Sequence, residues 1–320
     1  MMGLSDIISE FSKLRVLVVG DPMLDRYVFG SAERMCPEAP VPVLRVEAEE
    51  ERLGGAAHVL ANVVGMGAKA AFVGVVGGDE EGERLSRMII ETGAVVHLVK
   101  DKGRATTVKT RIWARGQYIV RIDREEMKRT SEVDEEKVVD FAVGEAKWCD
   151  AVIISDYAKG VITKRVVSEI VSACSCPVIV DPKPVNLECY YGATFMTPNE
   201  SDAIKMAGVM DYPSEEVLVD AGVELLRYVK EGVVITRGSL GSMLVMKGLR
   251  VIEVPPMRRR CVYDVVGAGD AFVAAFSLAI AAGASPEDAA RIGNLAGGIE
   301  VTKLGASPVS RDELLSEVIG

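Results

Sequence analysis

The sequence predicts an α/β fold: a doubly wound, mostly parallel sheet with helices on both faces, carrying a small β-sheet lid. Short runs rich in Val and Ile recur along the chain, and near-continuous apolar runs of this length are typical of parallel strands buried on both faces. Amphipathic segments with acidic first turns separate these runs, which indicates crossover helices. The strand-like runs are 15–21, 70–77, 95–100, 150–156, 177–181, 194–199 and 232–238.

Polar or charged residues close several of these predicted strands. In open α/β sheets, ligands bind outside the carboxyl ends of the strands. We therefore expect the strand-closing side chains to surround a binding site. They are Asp21, Asp156, Asp181, Asn199 and Arg237.

Two stretches, 27–53 and 106–125, break the alternation because they carry strand and turn signals without room for crossover helices. We predict that they form a lid sheet made by excursions at about 22–50 and 104–124; a pair of decorated surface hairpins is the alternative. A lid can exclude water from a reacting phosphoryl group. No repeat or obvious linker interrupts the chain, so residues 1–320 are predicted to form a single domain.

The composition limits the classes of partner. The chain is 49% hydrophobic and 26% charged, which is ordinary for a soluble protein with a large core. Its formal net charge of -10 argues against a nucleic-acid surface, so an anionic substrate would need a local basic pocket. No secretory signal or membrane-length apolar run is present, and the six cysteines lack a zinc-site spacing. We expect a cytoplasmic protein without nucleic-acid or membrane partners.

The stretch 262–276, VYDVVGAGDAFVAAF, places Asp270 at the opening of a predicted helix, directly after the Gly-Ala-Gly of residues 267–269. In the simplest interpretation, the carboxylate caps orphan N–H groups and complements the positive helix end. In the alternative, the backbone N–H groups of residues 266–269 hold an anion while Asp270 acts as a base. These residues alone do not decide between the two.

Two further stretches offer groups for a hydroxylated ligand. Gly54 and Gly55 precede a predicted helix, where residues without bulky side chains permit close ligand approach. His58 follows on that helix and is interpreted either as a substrate contact or as an ordinary helix surface residue. Asp21 and Asp25, in DPMLDRY, are hydroxyl acceptors separated by one turn.

Two other stretches offer groups for phosphate. Asn199 and Asp202, in TPNESD, lie where a strand ends and a helix begins, and could hold phosphate or metal-bound water. Thr236, Gly238 and Gly241, in TRGSLGS, end another strand and predict a backbone cradle for phosphate.

Taken in order, these motifs resemble those of the ribokinase/PfkB carbohydrate kinases over essentially the whole chain. DVVGAGDAF resembles the C-terminal signature of that family, and the glycine pair 54–55 its N-terminal one. GDPMLDRYVFG, CPEAPVPV, SDYAKG, DPK and KLGASPVS further resemble D-glycero-β-D-manno-heptose 7-phosphate kinases. Many of those carry a following nucleotidyltransferase domain, so this chain is expected to be the stand-alone kinase half. His58, Asp202 and Val266 stand where the family usually has Asn, Glu and Thr.

The resemblance implies a ribokinase-like fold and ATP- and Mg²⁺-dependent phosphorylation of a sugar-phosphate hydroxyl, most specifically O1 of a heptose 7-phosphate. Another sugar kinase of the family, acting on ribose, fructose or a phosphohexose, and a non-catalytic sugar- or nucleotide-binding regulator are the alternatives. A homodimer formed through the lid is also implied.

The resemblance also assigns roles to individual residues. The catalytic set is the base Asp270 with the anion-holding Gly267, Ala268 and Gly269. The nucleotide set, in which Asp202 also reaches the metal through water and Asn294 lies near the adenine, is Lys183, Asn199, Glu200, Ser201, Asp202, Thr236, Gly238, Gly241 and Asn294. The substrate set, in which the cations are candidates for the distant phosphate, is Asp21, Asp25, Arg34, Gly54, Gly55, His58, Lys109, Arg111 and Arg121.

Overall fold

The computed structural model describes residues 3–209, 214–258 and 261–319. Within these ranges the strands form two sheets, a main sheet and a smaller lid sheet. The strands are β1 Arg15–Gly20, β2 Pro22–Met35, β3 Pro42–Gly55, β4 Lys69–Gly77, β5 Val95–Asp101, β6 Val108–Ala114, β7 Gln117–Arg124, β8 Ala151–Ser155, β9 Val178–Asp181, β10 Ala193–Met196, β11 Val229–Thr236, β12 Ser242–Met246 and β13 Arg250–Val254.

The main sheet has the strand order β13-β12-β11-β10-β9-β8-β1-β4-β5. Every pair from β11 to β5 is parallel, and β12 and β13 continue the sheet antiparallel at one edge. The apolar runs are buried on both faces as the sequence predicts, because successive side chains point to opposite sides. Val16 and Val18 pack into one core, while Leu17 and Val19 pack into the other.

Helices cover both faces of the main sheet. The core that contains Val16 is covered by α1, α2, α3, α8, α9 and α10, and the core that contains Leu17 by α4 to α7. The predicted doubly wound architecture is confirmed. The helices are α1 Leu4–Glu10, α2 Ala56–Gly65, α3 Glu80–Glu91, α4 Glu132–Ala146, α5 Lys164–Ala173, α6 Glu200–Ala207, α7 Glu215–Leu225, α8 Ala268–Ala281, α9 Pro286–Glu300 and α10 Arg311–Ile319.

The lid sheet has the order β3-β2-β6-β7, with β2 and β6 parallel and the outer pairs antiparallel. It starts two residues after β1, so it rises from the edge of the main sheet where the parallel strands end. The predicted small β-sheet is confirmed. Its first excursion runs further than predicted, to Gly55, because β3 continues directly into α2.

The helix starts fall into two groups. At several helices a Ser, Thr, Asp or Asn side chain caps a backbone N–H group, as Ser285 does for α9. By contrast, the residues directly before α2 and α8 are Gly55 and Gly267, with φ of 56° and 87° and no side-chain cap. The first turns of both helices therefore lack a capping side chain, and in α2 the first N–H donates to the carbonyl oxygen of Asp21 at 3.1 Å.

Candidate active site

A cleft of about 160 Å³ lies at the carboxyl ends of β9, β10 and β11, beside the start of α8. It combines hydroxyl, carboxylate, ammonium and backbone groups within one small volume. Its lining residues are Tyr157, Asp181, Lys183, Thr197, Asn199, Thr236, Gly267, Gly269 and Asp270. The structure thus brings the predicted base, its glycines and part of the predicted nucleotide set to one place.

The first turn of α8 is built to leave its backbone donors free. Asp270 is the third residue of the helix, where its charge complements the positive helix end as the simple interpretation predicts, but no side chain caps the helix start. The N–H groups of residues 267–269 precede any helical carbonyl that could accept them. The predicted anion hole is narrower than residues 266–269, because the N–H of Val266 donates to Oδ1 of Asp264 at 3.1 Å.

Asp270 is buried, and one of its two carboxylate oxygens is held by a hydrogen bond. The hydroxyl of Tyr157 donates to Oδ1 of Asp270 at 2.6 Å. Burial raises the pKa of Asp270 to about 6, against the lowering effects of His58 and of the Tyr157 hydrogen bond, while Glu300 adds to the rise. A carboxyl group with this pKa is ionised at neutral pH and is a stronger base than an exposed aspartate.

Asp21 supports the neighbouring loop and does not face a sugar with a free oxygen. Its two carboxylate oxygens accept the backbone N–H groups of residues 157, 159 and 161 at 2.9, 3.1 and 3.0 Å. The sequence-based assignment of Asp21 as a hydroxyl acceptor is therefore corrected. Its carboxylate is consumed by the loop that carries Tyr157.

His58 is 1% exposed, so neither sequence-based interpretation holds: it is not a surface residue, and it lies beneath the cleft wall. Its Nε2 lies 2.6 Å from Oε1 of Glu300, and a Cβ at position 267 would come within 2.7 Å of that Nε2 and 2.4 Å of that Oε1. Burial alone would lower the pKa of His58, but the hydrogen bond and charge of Glu300 raise it above its ordinary value. The pair supports the Gly267 turn from below.

The glycine pair lies at the base of the lid. Gly55 has φ of 56°, and a Cβ at Gly54 would lie 2.8 Å from Cγ of Asp25, so both positions require glycine. Asp25 is buried and forms an ion pair with Arg111 at 2.8 Å. Arg111 is thereby engaged by a protein carboxylate, while Gly54, Gly55 and Asp25 remain predicted substrate contacts at the junction of the lid and main sheets.

Of the remaining predicted lid cations, Lys109 lies beside Tyr157, which lines the cleft. It is half-buried, and its Nζ lies 5.9 Å from the ring centre of Tyr157. Arg121 lies on the outer strand β7 and pairs with Asp123 at 2.8 Å. Arg34 is exposed at the far end of β2, on the order of 30 Å along the strand from Asp25. Within one chain, Arg34 is too remote for the predicted role. Arg121 lies opposite Arg111 and its charge acts on Lys109, so its role stays a prediction.

The start of α6 forms the opposite side of the cleft. Asn199 caps the helix by accepting the N–H of Asp202 at 2.8 Å, and its amide donates to the Asp202 carboxylate at 3.0 Å. Nζ of Lys183 lies 3.2 Å from the same carboxylate. Glu200 turns away, because its carboxylate accepts Nε of Arg237 at 3.1 Å, so the predicted nucleotide contact at Glu200 becomes an ion pair within the protein.

The turn after β11 carries the predicted phosphate cradle. Thr236 lines the cleft, and Gly238 and Gly241 have φ of 53° and 86°. A Cβ at Gly241 would lie 2.2 Å from the carbonyl oxygen of Val254, so the turn requires glycine there. Asn294, predicted near the adenine, donates to that same carbonyl oxygen at 2.9 Å and so ties α9 to β13.

The cleft fits a hydrated divalent cation with phosphate oxygens. Burial raises the pKa of Asp181 to about 7, against the lowering effect of Lys183, with Asp270 and Asp202 adding to the rise. Burial is the main cause of this rise, and a cation would relieve the smaller part that comes from the negative charges of Asp270 and Asp202. Mg²⁺ keeps several waters and binds through one or two carboxylates, as Asp202 can provide. Ser201, exposed on the same turn, stays a prediction.

Comparison with known families identifies the protein family to which this site belongs. The family model described as pfkB family carbohydrate kinase matches residues 13–313. The chain is a pfkB family carbohydrate kinase. The predictions of the family, of the ribokinase-like fold, of the enzyme class and of ATP with Mg²⁺ are confirmed.

Curated relatives of this kinase fall into two lengths. The D-beta-D-heptose 7-phosphate kinase of Bordetella bronchiseptica is 43% identical over 312 residues, which cover 96% of this chain and 97% of the relative. The Bifunctional protein HldE of Geotalea uraniireducens is 41% identical over 320 residues. There the alignment covers 98% of this kinase but 65% of the relative, so the chain spans somewhat less than two thirds of that protein.

Solved structures support the fold of the kinase. Escherichia coli phosphofructokinase-2 in complex with substrates and products superposes with a TM-score of 0.79 at 20% identity, covering 96% of this chain and 98% of that one. Ribokinase from Thermotoga maritima has a TM-score of 0.73 at 22% identity, covering 96% and 100%. No helix among the described residues is long and apolar enough to cross a bilayer.

Sequence reasoning missed two residues of the site. Tyr157 lies inside the SDYAKG motif. Its position one residue after the strand-closing Asp156 is the sequence signal that could have placed it near the site. Glu300 ends an otherwise apolar helix stretch, and a lone acid there is a weak signal of a buried partner. Neither signal names the partner, which comes from a distant part of the chain.

Proposed function

We propose that this kinase transfers the γ-phosphoryl group of ATP to a sugar phosphate, and that the acceptor is O1 of D-glycero-D-manno-heptose 7-phosphate. The buried carboxylate of Asp270, beside the open N–H groups of α8, is the observation that carries the proposal. Attack of a hydroxyl on a phosphoryl group needs a base and donors for the developing charge. The choice of sugar is supported by the Bordetella relative, which is named a heptose 7-phosphate kinase.

In the proposed reaction, Asp270 accepts the proton of the acceptor hydroxyl as the hydroxyl oxygen bonds to the γ-phosphorus. The bond from the γ-phosphorus to the bridging oxygen breaks, and that oxygen leaves with ADP. The N–H groups of residues 267–269 hold charge on the transferred group. Bound Mg²⁺ neutralises phosphate charge, and Asp202 would hold its water shell. Lys183, between Asp181 and Asp202, supplies a further cation for the phosphates.

The substrate's own phosphate is assigned to Lys109. Burial lowers the pKa of Lys109 from its ordinary value, against the raising effect of Glu125, so its ammonium group is incompletely compensated. A phosphate dianion would supply that compensation. Residues 1–320 act in this proposal as one catalytic unit, with the lid and main sheets on either side of the sugar.

A substrate panel tests the proposed acceptor. With ATP and Mg²⁺, we expect ADP release with D-glycero-D-manno-heptose 7-phosphate to exceed that with ribose or fructose by at least about 100-fold in kcat/KM, and that with fructose 6-phosphate, which also carries a phosphate, by a smaller factor. A site with a phosphate-binding cation discriminates strongly against acceptors that leave it unpaired. An Asp270→Asn preparation serves as the blank for contaminating kinases. Preference for another sugar would replace the acceptor, and no turnover with any sugar would favour the non-catalytic alternative.

The lid supports the proposal of a homodimer. Strand β7 is an exposed edge strand that carries apolar side chains, and such edges are normally covered. We expect wild-type protein to sediment as two chains and Ile122→Glu as one, because a charge would be buried in the contact. Val133→Glu, at an exposed apolar position on α4, is the matched control and should leave the mass unchanged. A wild-type monomer at working concentration would contradict the proposal. The exposed apolar residues of β7 are Tyr118, Ile119, Val120 and Ile122.

A further inference from the structure

The loop between β8 and α5 is held in one conformation by several independent contacts. Asp21 accepts three of its backbone N–H groups, as described above. Ala158 has φ of 57°, in the left-handed region that non-glycine residues seldom adopt, and its N–H donates to Asp156 at 2.6 Å. A Cβ at Gly160 would lie 2.1 Å from the carbonyl oxygen of Lys128. Strain maintained by so many contacts points to a functional constraint on this loop.

The side chain that this loop delivers to the cleft is Tyr157. Its hydroxyl donates to Oδ1 of Asp270 at 2.6 Å. Its ring centre lies 5.9 Å from Nζ of Lys109 on the lid and 5.7 Å from Nζ of Lys183 after β9. The phenol therefore lies where the lid, the main sheet and the start of α8 converge.

We propose that Tyr157 is a positioning residue for the phosphoryl transfer. Its phenol holds Oδ1 of Asp270, which leaves Oδ2 for the acceptor hydroxyl and favours the ionised carboxylate. During the transfer the phenol keeps its proton, while Oδ2 takes the proton of the acceptor. This inference rests on the proposed role of Asp270 as the base.

The electrostatics around Asp270 agree with this assignment. Burial raises its pKa to about 6, and the hydrogen bond of Tyr157 is one of the effects that lower it. Burial and the charge of Asp270 raise the pKa of Tyr157 well above its ordinary value, so the phenol remains a donor at working pH. The ionisable groups that act on Asp270 from the elements around it are Tyr157, His58 of α2, Glu300 of α9, Asp25 of β2 and Asp181 of β9.

The first test is the pH profile of Tyr157→Phe. We expect the acid limb of kcat/KM, near pH 6 in the wild type, to move up by about one pH unit, because a hydrogen bond to a charged group is lost. Activity at pH 6 should then fall about fivefold further than activity at pH 8. Tyr228→Phe is the matched control: it loses a phenol–carboxylate hydrogen bond of 2.9 Å to Glu188, at the amino end of β11 and away from the cleft, and should leave the limb in place.

A second readout does not depend on the sugar. The side-chain carboxyl of Asp270 is followed by ¹³C NMR in Asp-labelled protein, with Asp270→Asn identifying the resonance. The midpoint should rise in Tyr157→Phe and fall when 3-fluorotyrosine at position 157 strengthens the donor. The fluorinated protein keeps the phenol ring, so it still tests the hydrogen bond to Asp270 if the phenylalanine variant folds poorly. An unmoved midpoint in both proteins would overturn the role of Tyr157, whereas failure of the whole sugar panel would overturn the proposed function instead.

Discussion

Replacing Asp270 with asparagine is expected to lower kcat by about 10³-fold, within the range that a positioned general base contributes. The substitution keeps the shape of the side chain and the N–H groups of α8, so the KM for ATP should change little. The amide cannot accept a proton from the acceptor hydroxyl, and the loss should therefore appear in the chemical step. Steady-state and single-turnover kinetics with the preferred sugar phosphate measure both quantities.

The matched control for this change is Asp288→Asn. Asp288 is the third residue of α9, as Asp270 is of α8, but it lies on the surface, where Ser285 donates to it at 2.8 Å. The control loses a helix-terminal charge and should keep its turnover. Near-normal turnover of Asp270→Asn would contradict the base assignment, and a comparable loss in Asp288→Asn would trace the effect to the helix ends.

Replacing Glu300 with glutamine is expected to destabilise the protein by about 3–5 kcal/mol, because it removes one partner of a buried ion pair. His58 and Glu300 have side-chain exposures of 1% and 0%, so water cannot solvate the His58 charge once the carboxylate is lost. Oε1 of Glu300 also accepts the N–H of Ser307 at 3.1 Å. Since Gly267 rests against both side chains, the anion hole should loosen and kcat should fall as well. Urea unfolding at pH 6 measures the stability loss.

The pH dependence of this loss has a definite sign. The folded-state pKa of His58 is raised, so the stabilisation is fully present below the unfolded value of about 6.5 and is lost as pH rises through the folded pKa. The difference between wild type and Glu300→Gln should shrink at alkaline pH. His97, the other histidine of the chain, pairs with Glu145 at 3.0 Å in a partly exposed site, and His97→Gln should cost about 1 kcal/mol or less. Equal urea midpoints for wild type and Glu300→Gln at pH 6 would contradict the argument.

Most of the fold could be predicted because its signals are local. Apolar runs such as 15–21 and 150–156 are typical of buried strands when amphipathic helices separate them, and the alternation implies a parallel sheet. The end of the lid was predicted less well. Strand β3 passes into α2 without a turn, since Gly55 adopts a positive φ and makes the junction within a single residue.

In the candidate site, too, local features could be predicted from the sequence, while long-range contacts could not. The sequence by itself determined the GAGD turn with Asp270 at a helix start, the family to which the chain belongs and the strand ends around the cleft, because motif and strand order are written in short contiguous stretches. Only the tertiary structure decided what each polar side chain touches. It turned Asp21 to a loop, His58 to Glu300 and Tyr157 to Asp270, because burial obliges each polar group to find a partner among residues that are distant in sequence.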